Sequence, residues 1–303
     1  MYDYMNQINL QKKNNKKYFT SNNINYCNKK INTKPLFSII TPVLNGGKHL
    51  ERTINSVINQ SFQDFEYLII DGCSTDDTLE IIKKYEYELD LWLSEPDEGI
   101  YDAMNKGIDL AEGKVIGIIN SDDWYEKEAL QIVSNFFQGN NFDKILHGSL
   151  NYIYKSKIFH KAHSPKNLLS LNKLMIINHP STFIPKIIYE KHGKYSNEFV
   201  VCGDWEIMLR FYNKKIDFIN FDEVIANFSY GGKGTKFNIN VARERHQIRK
   251  KYKGYNFYDT KYLYDLIKLW IFKNYSSKIS NIYFKFLIFK FIIIDWLLNR
   301  YRK

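Results

Sequence analysis

The sequence predicts an α/β fold, a mostly parallel sheet flanked by helices, and three observations carry that prediction. Short apolar, β-branched runs each stop at a polar loop and are followed by apolar residues at helical spacing, the repeating unit of a parallel sheet. The 303 residues are 44% hydrophobic and 16% aromatic with only 6 Pro and 15 Gly, enough apolar material for a full-size core, which excludes disorder as the main state. The three cysteines, Cys27, Cys73 and Cys202, lie far apart with no CxxC or Cys/His spacing. That excludes a disulfide framework and a structural zinc site, and points to a reducing, cytoplasmic setting.

The elements follow in order. Residues 36–43 read as the first strand, Asn45-Gly46-Gly47 as a loop, and Leu50, Ile54, Val57 and Ile58 as the apolar stripe of a helix. Residues 65–70 form the second strand, stopped by Asp71-Gly72, after which Ser74 to Asp77 can cap a helix carrying Leu79, Ile81 and Ile82. Residues 91–93 make a third strand, 101–111 a helix closed by Gly113, and 114–119 a fourth strand that runs into Asn120-Ser121-Asp122-Asp123. From 145 the pattern loosens, with strands over 145–154 and 224–230 and a helix over 204–212. No repeat or linker interrupts it, so the change near 145 falls within one structural unit.

Charge is segregated. Residues 1–34 hold seven basic and one acidic residue, 35–232 hold 19 and 28, and 233–303 hold 17 and four, giving +6, −9 and +13. The acidic centre is a poor surface for a phosphate backbone and argues against a nucleic-acid partner. The Asn- and Lys-rich start has no apolar stretch of signal-peptide length and reads as a surface arm. Residues 282–298 are almost continuously apolar but contain Lys285, Lys290 and Asp295, and the run is shorter than the ~20 residues of a spanning helix. With Trp270, Tyr275, Trp296, Arg300, Arg302 and Lys303 it reads as an element lying at an anionic membrane surface. A buried helix or a dimer contact is the alternative.

In doubly wound sheets ligands sit beyond the carboxyl ends of the strands, where Asn45, Asp71 and the pair Asp122, Asp123 emerge. Two adjacent carboxylates repel unless a cation neutralises them. A hard divalent ion, Mn²⁺ or Mg²⁺, completed by substrate phosphates, is one solution, and a helix N-cap over 126–137 is the other. The loop Tyr230-Gly231-Gly232-Lys233-Gly234-Thr235 offers backbone N–H groups and a lysine to a phosphate but lacks P-loop spacing. It reads as a lid over the ligand or as a plain turn.

Four segments go further: 38–45 (SIITPVLN), 56–62 (SVINQSF) with 66–78 (EYLIIDGCSTDDT), 94–107 (SEPDEGIYDAMNKG) and 120–124 (NSDDW). In this order and spacing they resemble the family 2 inverting glycosyltransferases of the GT-A fold, many of which make bacterial surface polysaccharides. The likeness runs through 35–135 and more weakly to 235. It implies a GT-A domain over 35–235, its nucleotide-binding part 35–145 and its acceptor part 146–235. The basic arm 1–34 precedes this domain, and a basic, aromatic helical region, 236–303, follows it.

The resemblance also implies roles. Thr41, Pro42 and Asn45 line the nucleotide pocket with Glu51 nearby, and Asp71 closes the second strand. Asp102 and Asn105 open a helix toward the donor sugar, or only cap and pack there. Asp122 stands near the ribose and donor sugar, and Asp123 binds the metal that bridges the diphosphate oxygens. An inverting transfer is one displacement at the anomeric carbon, so a carboxylate must take the proton of the acceptor hydroxyl. Family members carry it in a Glu-Asp motif, matched here by Cys202-Gly203-Asp204-Trp205-Glu206, with Asp204 as base and Glu206 in reserve; a helix cap is the alternative role for Asp204. His179 lies where relatives place an acceptor-side or diphosphate-side residue, and reads equally as a structural histidine. The chain departs from the family at Gly72, where many relatives have an Asp on the uracil ring, at Asn120, often Asp, and at Gly203, usually Glu.

The function expected is metal-assisted transfer of a sugar, with inversion, from a nucleotide-sugar donor, first a UDP-sugar, to a glycan or lipid-linked acceptor at the inner face of the cell membrane. A sugar nucleotidyltransferase and a non-catalytic membrane-associated scaffold are the alternatives. A nicotinamide dehydrogenase is excluded, because Asn45-Gly46-Gly47-Lys48 is not GxGxxG.

Overall fold

The computed structural model describes residues 24–26, 34–139, 141–231 and 239–253. The expected membrane-surface segment, most of the N-terminal arm and most of the glycine loop at 230–235 lie outside the described residues.

Among the described residues, ten strands, numbered in chain order, form one sheet in the order β1-β4-β3-β2-β5-β9-β7-β10-β6, with β8 added on β7. Strands β2 (Phe37–Val43), β3 (Phe65–Asp71), β4 (Leu91–Ser94) and β5 (Val115–Ile118) run parallel, as the alternating pattern predicts. Helices α1 (Gly47–Ile58), α2 (Thr78–Lys84) and α3 (Ile100–Leu110) connect them. β9 (Thr182–Pro185) then pairs antiparallel with β5 and with β7 (Ile145–Tyr154). Beyond it β7 and β10 (Phe218–Ser229) are parallel, and β6 (Trp124–Tyr125) closes the edge antiparallel to β10. β1 (Ile24–Tyr26) and β8 (Lys157–Ala162) are short antiparallel additions on β4 and β7. The sequence did not reveal the central antiparallel strand β9, whose four residues, TFIP, carry no alternation to read.

The sheet separates two apolar layers. Along β2 the pleat sends Phe37, Ile39 and Val43 to one face, packed with Leu50, Ile54 and Val57 of α1 and Leu130 and Val133 of α4 (Ala129–Phe137). Ile40 goes to the other face, with Met104 and Ile108 of α3 and Ile188 of α5 (Lys186–His192). Helix α6 (Gly203–Asn213) buries Trp205, Ile207, Met208, Leu209 and Phe211 in the same layer. Helix α7 (Ile239–Lys253) adds Val241 and Ile248, so the described part of the C-terminal region packs on this core.

Helix α3 approaches β2 closely at Gly107, where an added Cβ would stand 2.5 Å from Ile40 Cγ2. Gly107→Ala should therefore push α3 off the sheet and cost about 1–3 kcal/mol. Urea unfolding with an unchanged m-value is the measurement, and an unaltered midpoint would refute the contact.

Candidate active site

The turn 120–123 follows β5 and is closed by the Asp123 amide donating to Asn120 O at 3.0 Å. Two neighbours on α1 fix it: Thr53 Oγ1 lies 2.9 Å from Ser121 O and 2.6 Å from Asp123 O, and Arg52 donates to Asp122 O at 2.8 Å. The Arg52 guanidinium also sits 3.6 Å from the Trp124 ring centre and donates to Ser229 Oγ at 3.0 Å. From β10, the Ser229 amide donates to Asp123 Oδ1 at 2.8 Å and its hydroxyl to Asp122 O at 2.6 Å. The strand β6 begins immediately after the turn and α4 only at Ala129, so neither aspartate caps that helix.

Asp123 is fully buried. Burial first, and then the Asp122 charge, push its carboxyl well above the usual range, against the Ser229 amide, Asn120 and Arg52. Its Oδ2 has no hydrogen-bond partner, and neither has the buried Asn120 Oδ1 three residues earlier. Two buried acceptor oxygens without a donor are costly alone and suit a hard cation. Among the described residues no group of three or more His, Cys, Asp or Glu gathers to hold a metal. Asp123 and Asn120 would thus be minority ligands, leaving the remaining positions to phosphate oxygens and water. Asp122 is only partly buried; burial raises its pKa, while His49 and Arg52 on α1 favour its charge.

On the β2–β3–β4 side, Asp71 holds loops together. Its carboxylate accepts from Ser74 N at 3.1 Å, Ser74 Oγ at 2.5 Å and Ser94 Oγ at 2.7 Å. Asn45, in left-handed backbone with φ 53°, is exposed; its amide donates to Ser74 Oγ at 2.7 Å and its Oδ1 accepts from Thr75 N at 2.8 Å. Thr41 and Pro42 are buried in β2, the Thr41 hydroxyl against Tyr67 OH at 3.0 Å. Glu51 lies on the exposed side of α1 and binds Lys84 at 2.6 Å and Tyr85 OH at 2.8 Å. Asp102 is buried beside Lys106, 3.4 Å away, and accepts from Glu98 N at 3.2 Å. Lys106 also meets Glu95 at 2.9 Å and Pro96 O at 2.7 Å, so this cluster fixes the loop after β4. The Asn105 amide makes a two-way pair with the Tyr195 backbone at 2.9 and 3.0 Å.

The departure at Gly72 has a steric counterpart. A Cβ there would stand 2.3 Å from Asp97 Oδ2, so the Asp97 carboxylate fills the room of a side chain at 72. Asp97 Oδ1 accepts from Gly99 N at 3.0 Å. Burial raises its pKa, opposed by the Gly99 amide and Lys106.

In the second half of the chain, Asp204 lies in the first turn of α6. Its Oδ1 accepts from Trp205 N at 2.7 Å, while its own amide donates to Tyr101 OH at 3.2 Å. Burial pushes its carboxyl up to about 6, with Arg245 pulling down. A Cβ at Gly203 would lie 2.7 Å from the Tyr101 ring, so that ring leaves no space for the Glu of the family motif. Tyr101 stacks on Tyr195, ring centres 5.4 Å apart, and Tyr195 OH meets His179 Nε2 at 2.8 Å. Burial lowers the His179 pKa to about 4, keeping the ring neutral in this packed chain. Glu206 is turned away into contacts with Arg210, Lys251 and Tyr252. Nothing in the sequence singles out Tyr152 on β7: burial raises its phenol to about 12, and the charges of Asp123, Tyr230 and Asp204 add to that shift.

A parallel half-sheet with acidic residues at its carboxyl edge, extended through an antiparallel strand by a second half, is the GT-A architecture. The sequence model of "Glycosyl transferase family 2" matches residues 38–217, more than half of the chain, and the protein belongs to that family. It is 31% identical over 207 residues, covering 65% of this chain and 78% of the relative, to a PGL/p-HBAD biosynthesis glycosyltransferase of Mycobacterium tuberculosis. It is 34% identical over 115 residues to the poly(ribitol-phosphate) beta-N-acetylglucosaminyltransferase TarS of Staphylococcus aureus, covering 36% of this chain and 20% of TarS. The crystal structure of TarS 1-349 with UDP-GlcNAc superposes with TM-score 0.59 at 19% identity, over 77% of this chain and 71% of that one. The mannosyltransferase PcManGT of Pyrobaculum calidifontis, in complex with GDP-Man and Mn²⁺, superposes with TM-score 0.60 at 12% identity, over 97% and 92%. Both structures show the shared fold.

Without a cation, the buried Asp123 oxygen costs stability that a neutral isostere recovers. In EDTA at pH 8, Asp123→Asn should be more stable than wild type by about 1–3 kcal/mol in urea unfolding. A less stable variant would mean that this oxygen is compensated in the metal-free protein.

Proposed function

We propose that the protein is a metal-assisted, inverting glycosyltransferase that moves a sugar from a UDP-sugar to the hydroxyl of a glycan or lipid-linked acceptor. The observation that carries this reading is the buried Asp123 oxygen left without a donor at the end of the parallel strands of a family 2 glycosyltransferase domain. A second carboxylate, Asp204, stands at a helix start with its pKa near 6.

In this reading Asp123 and Asn120 would hold Mn²⁺ or Mg²⁺, which would supply Lewis-acid stabilisation of the leaving diphosphate. The nucleoside runs from there past the ends of β2 and β3, where Asn45 and Asp71 order the loops that border it. Asp97 accepts a hydrogen bond from the base. With Oδ1 held by Gly99, it offers one oxygen, which suits the single imide N–H of uracil better than the two adjacent donors of guanine. Asp122, beside His49 and Arg52, faces the ribose and donor sugar. Asp204 takes the proton of the acceptor hydroxyl as that oxygen attacks the anomeric carbon from the side opposite the diphosphate. Asp204 is partly buried beside Tyr101, and desolvation holds its carboxyl near the basicity that the transfer needs. The acceptor is carried at a membrane surface, to which the basic, aromatic C-terminal segment attaches; no described helix is long and apolar enough to cross a membrane.

UDP release from UDP-sugars tests the assignment. Turnover should rise with pH through about 6, as Asp204 loses its proton. Asp204→Asn should lower kcat by about 10²–10⁴ while the Mn²⁺-dependent thermal shift given by UDP remains. Wild-type turnover in that variant would remove Asp204 as base. In the same shift assay Asp123→Asn should lose the Mn²⁺ dependence. Asp97→Ala should weaken UDP about tenfold or more, as loss of a charge-assisted bond does, and an unchanged UDP Kd would return the base contact to another residue.

A further inference from the structure

We infer that Glu244 of α7 is the positioning residue of Asp204, its carboxylate clasping the three backbone amides that lead into α6 and so setting where the base stands. The inference rests on the reading of Asp204 as base. It concerns a helix outside residues 38–217, the span the family model matches.

Glu244 is 6% exposed. Its Oε1 accepts from Val200 N at 2.9 Å, and its Oε2 accepts from Val201 N at 3.0 Å and Cys202 N at 2.7 Å. These three amides belong to an irregular segment with no strand or helix to receive them, and an unpaired buried N–H is costly. A buried carboxylate, for its part, needs several donors to remain charged out of water. Each therefore requires the other, and the geometry of 200–202 is fixed to within hydrogen-bond tolerance. Cys202 O receives Glu206 N at 3.0 Å, the first turn of α6. Asp204 sits inside that turn.

A second grip holds the other side of the same turn. Glu206 is met from α7 by Lys251 at 3.3 Å and by the Tyr252 hydroxyl. Helix α7 is itself anchored by the buried Val241, Ala242 and Ile248. Asp204 is thus bracketed by two contacts from one rigid element.

The charged and titratable groups acting on Asp204 come from every element around it. They are Tyr101 on α3, Tyr152 on β7, Tyr195 after α5, Cys202 before α6, and Glu244 with Arg245 on α7. Glu244 favours the protonated form of Asp204 and Arg245 the ionised form. Neutralising Glu244 while keeping its shape must therefore lower the Asp204 pKa, a signature that loss of packing alone does not produce.

The test is a ¹³C-carboxyl titration of the full chain labelled at aspartate, with the Asp204 signal identified by its loss in Asp204→Asn. Amide hydrogen exchange over 200–206 accompanies it. Glu244→Gln should move the Asp204 midpoint below that of wild type, and Glu244→Ala should release protection over 200–206 while peptides of β3 and β5 stay protected. Where UDP release from a UDP-sugar is measured, Glu244→Ala should lower kcat about 10²-fold with the donor KM unchanged, as a misplaced catalytic group does. Ile188→Ala on α5, buried in the same apolar layer, is the packing control, expected to lower the unfolding midpoint and leave the titration in place. A Glu244→Gln midpoint equal to wild type, with 200–206 still protected in Glu244→Ala, would overturn the inference even if Asp204→Asn is inactive. Conversely, an active Asp204→Asn would overturn the base assignment and leave the Glu244 clasp as architecture.

Discussion

A carboxylate held out of water at the end of β5 is the constraint on which the site depends. Asp123 has no exposed surface and one oxygen without a donor, so its neighbourhood must either neutralise it or bear the cost. The surrounding contacts supply part of the compensation. Arg52 and Thr53 from α1 and Ser229 from β10 bind the turn through backbone carbonyls, and of these three only Ser229, through its amide, also touches the carboxylate itself, which the Asn120 side chain joins from within the turn. Arg52 is near enough to act on the carboxyl, yet its hydrogen bonds go to Asp122 O and Ser229. The turn is rigid while one oxygen stays free, the condition a ligand-completed cation site requires.

The three departures from the family pattern become intelligible beside that turn. Gly72 and Gly203 are each faced by a side chain from elsewhere, Asp97 after β4 and Tyr101 on α3, that occupies the volume a larger residue would need. Both incoming residues come from the 94–107 segment, so one stretch of sequence supplies what two distant positions lack. Asn120 differs in kind. Replacing a carboxylate by an amide beside Asp123 and Asp122 removes a third negative charge from a buried cluster and still leaves an acceptor oxygen.

The parallel half was legible in the sequence because its signals are local. Apolar runs of four to seven residues, stopped by Asn45, Asp71 or Asp122, specify strand and loop without reference to the rest of the chain. The second half resisted reading because it depends on non-local pairing. β9 is identifiable only through its partners β5 and β7, and β6 has two residues. Among the site residues, the acidic pair and Asp204 could be singled out, since carboxylates at strand ends and helix starts carry their own signal. Tyr152, Asp97 and Glu244 could not, because each matters for what lies across a gap of many residues, Glu244 standing more than forty positions from the amides it receives. Glu51 and Thr41 show the converse: a motif position is visible in sequence, but its side chain is engaged with Lys84 in one case and Tyr67 in the other.

The division between the halves also fits the demands of the chemistry. A donor site must hold a large, multiply charged ligand in one pose, and the one proposed lies at the end of four parallel strands whose loops are cross-bonded through Asp71, Asn45 and Lys106. An acceptor base needs one atom placed well and the right basicity, and different chains of a family must be free to vary what approaches it. In the proposed reading that atom belongs to Asp204, carried on a single helix start whose leading amides are held by Glu244 of α7, while its own amide meets Tyr101. Under that proposal, support from α7 separates the placing of Asp204 from the shape of the acceptor surface, so loops over 145–231 can change specificity without disturbing the proton transfer.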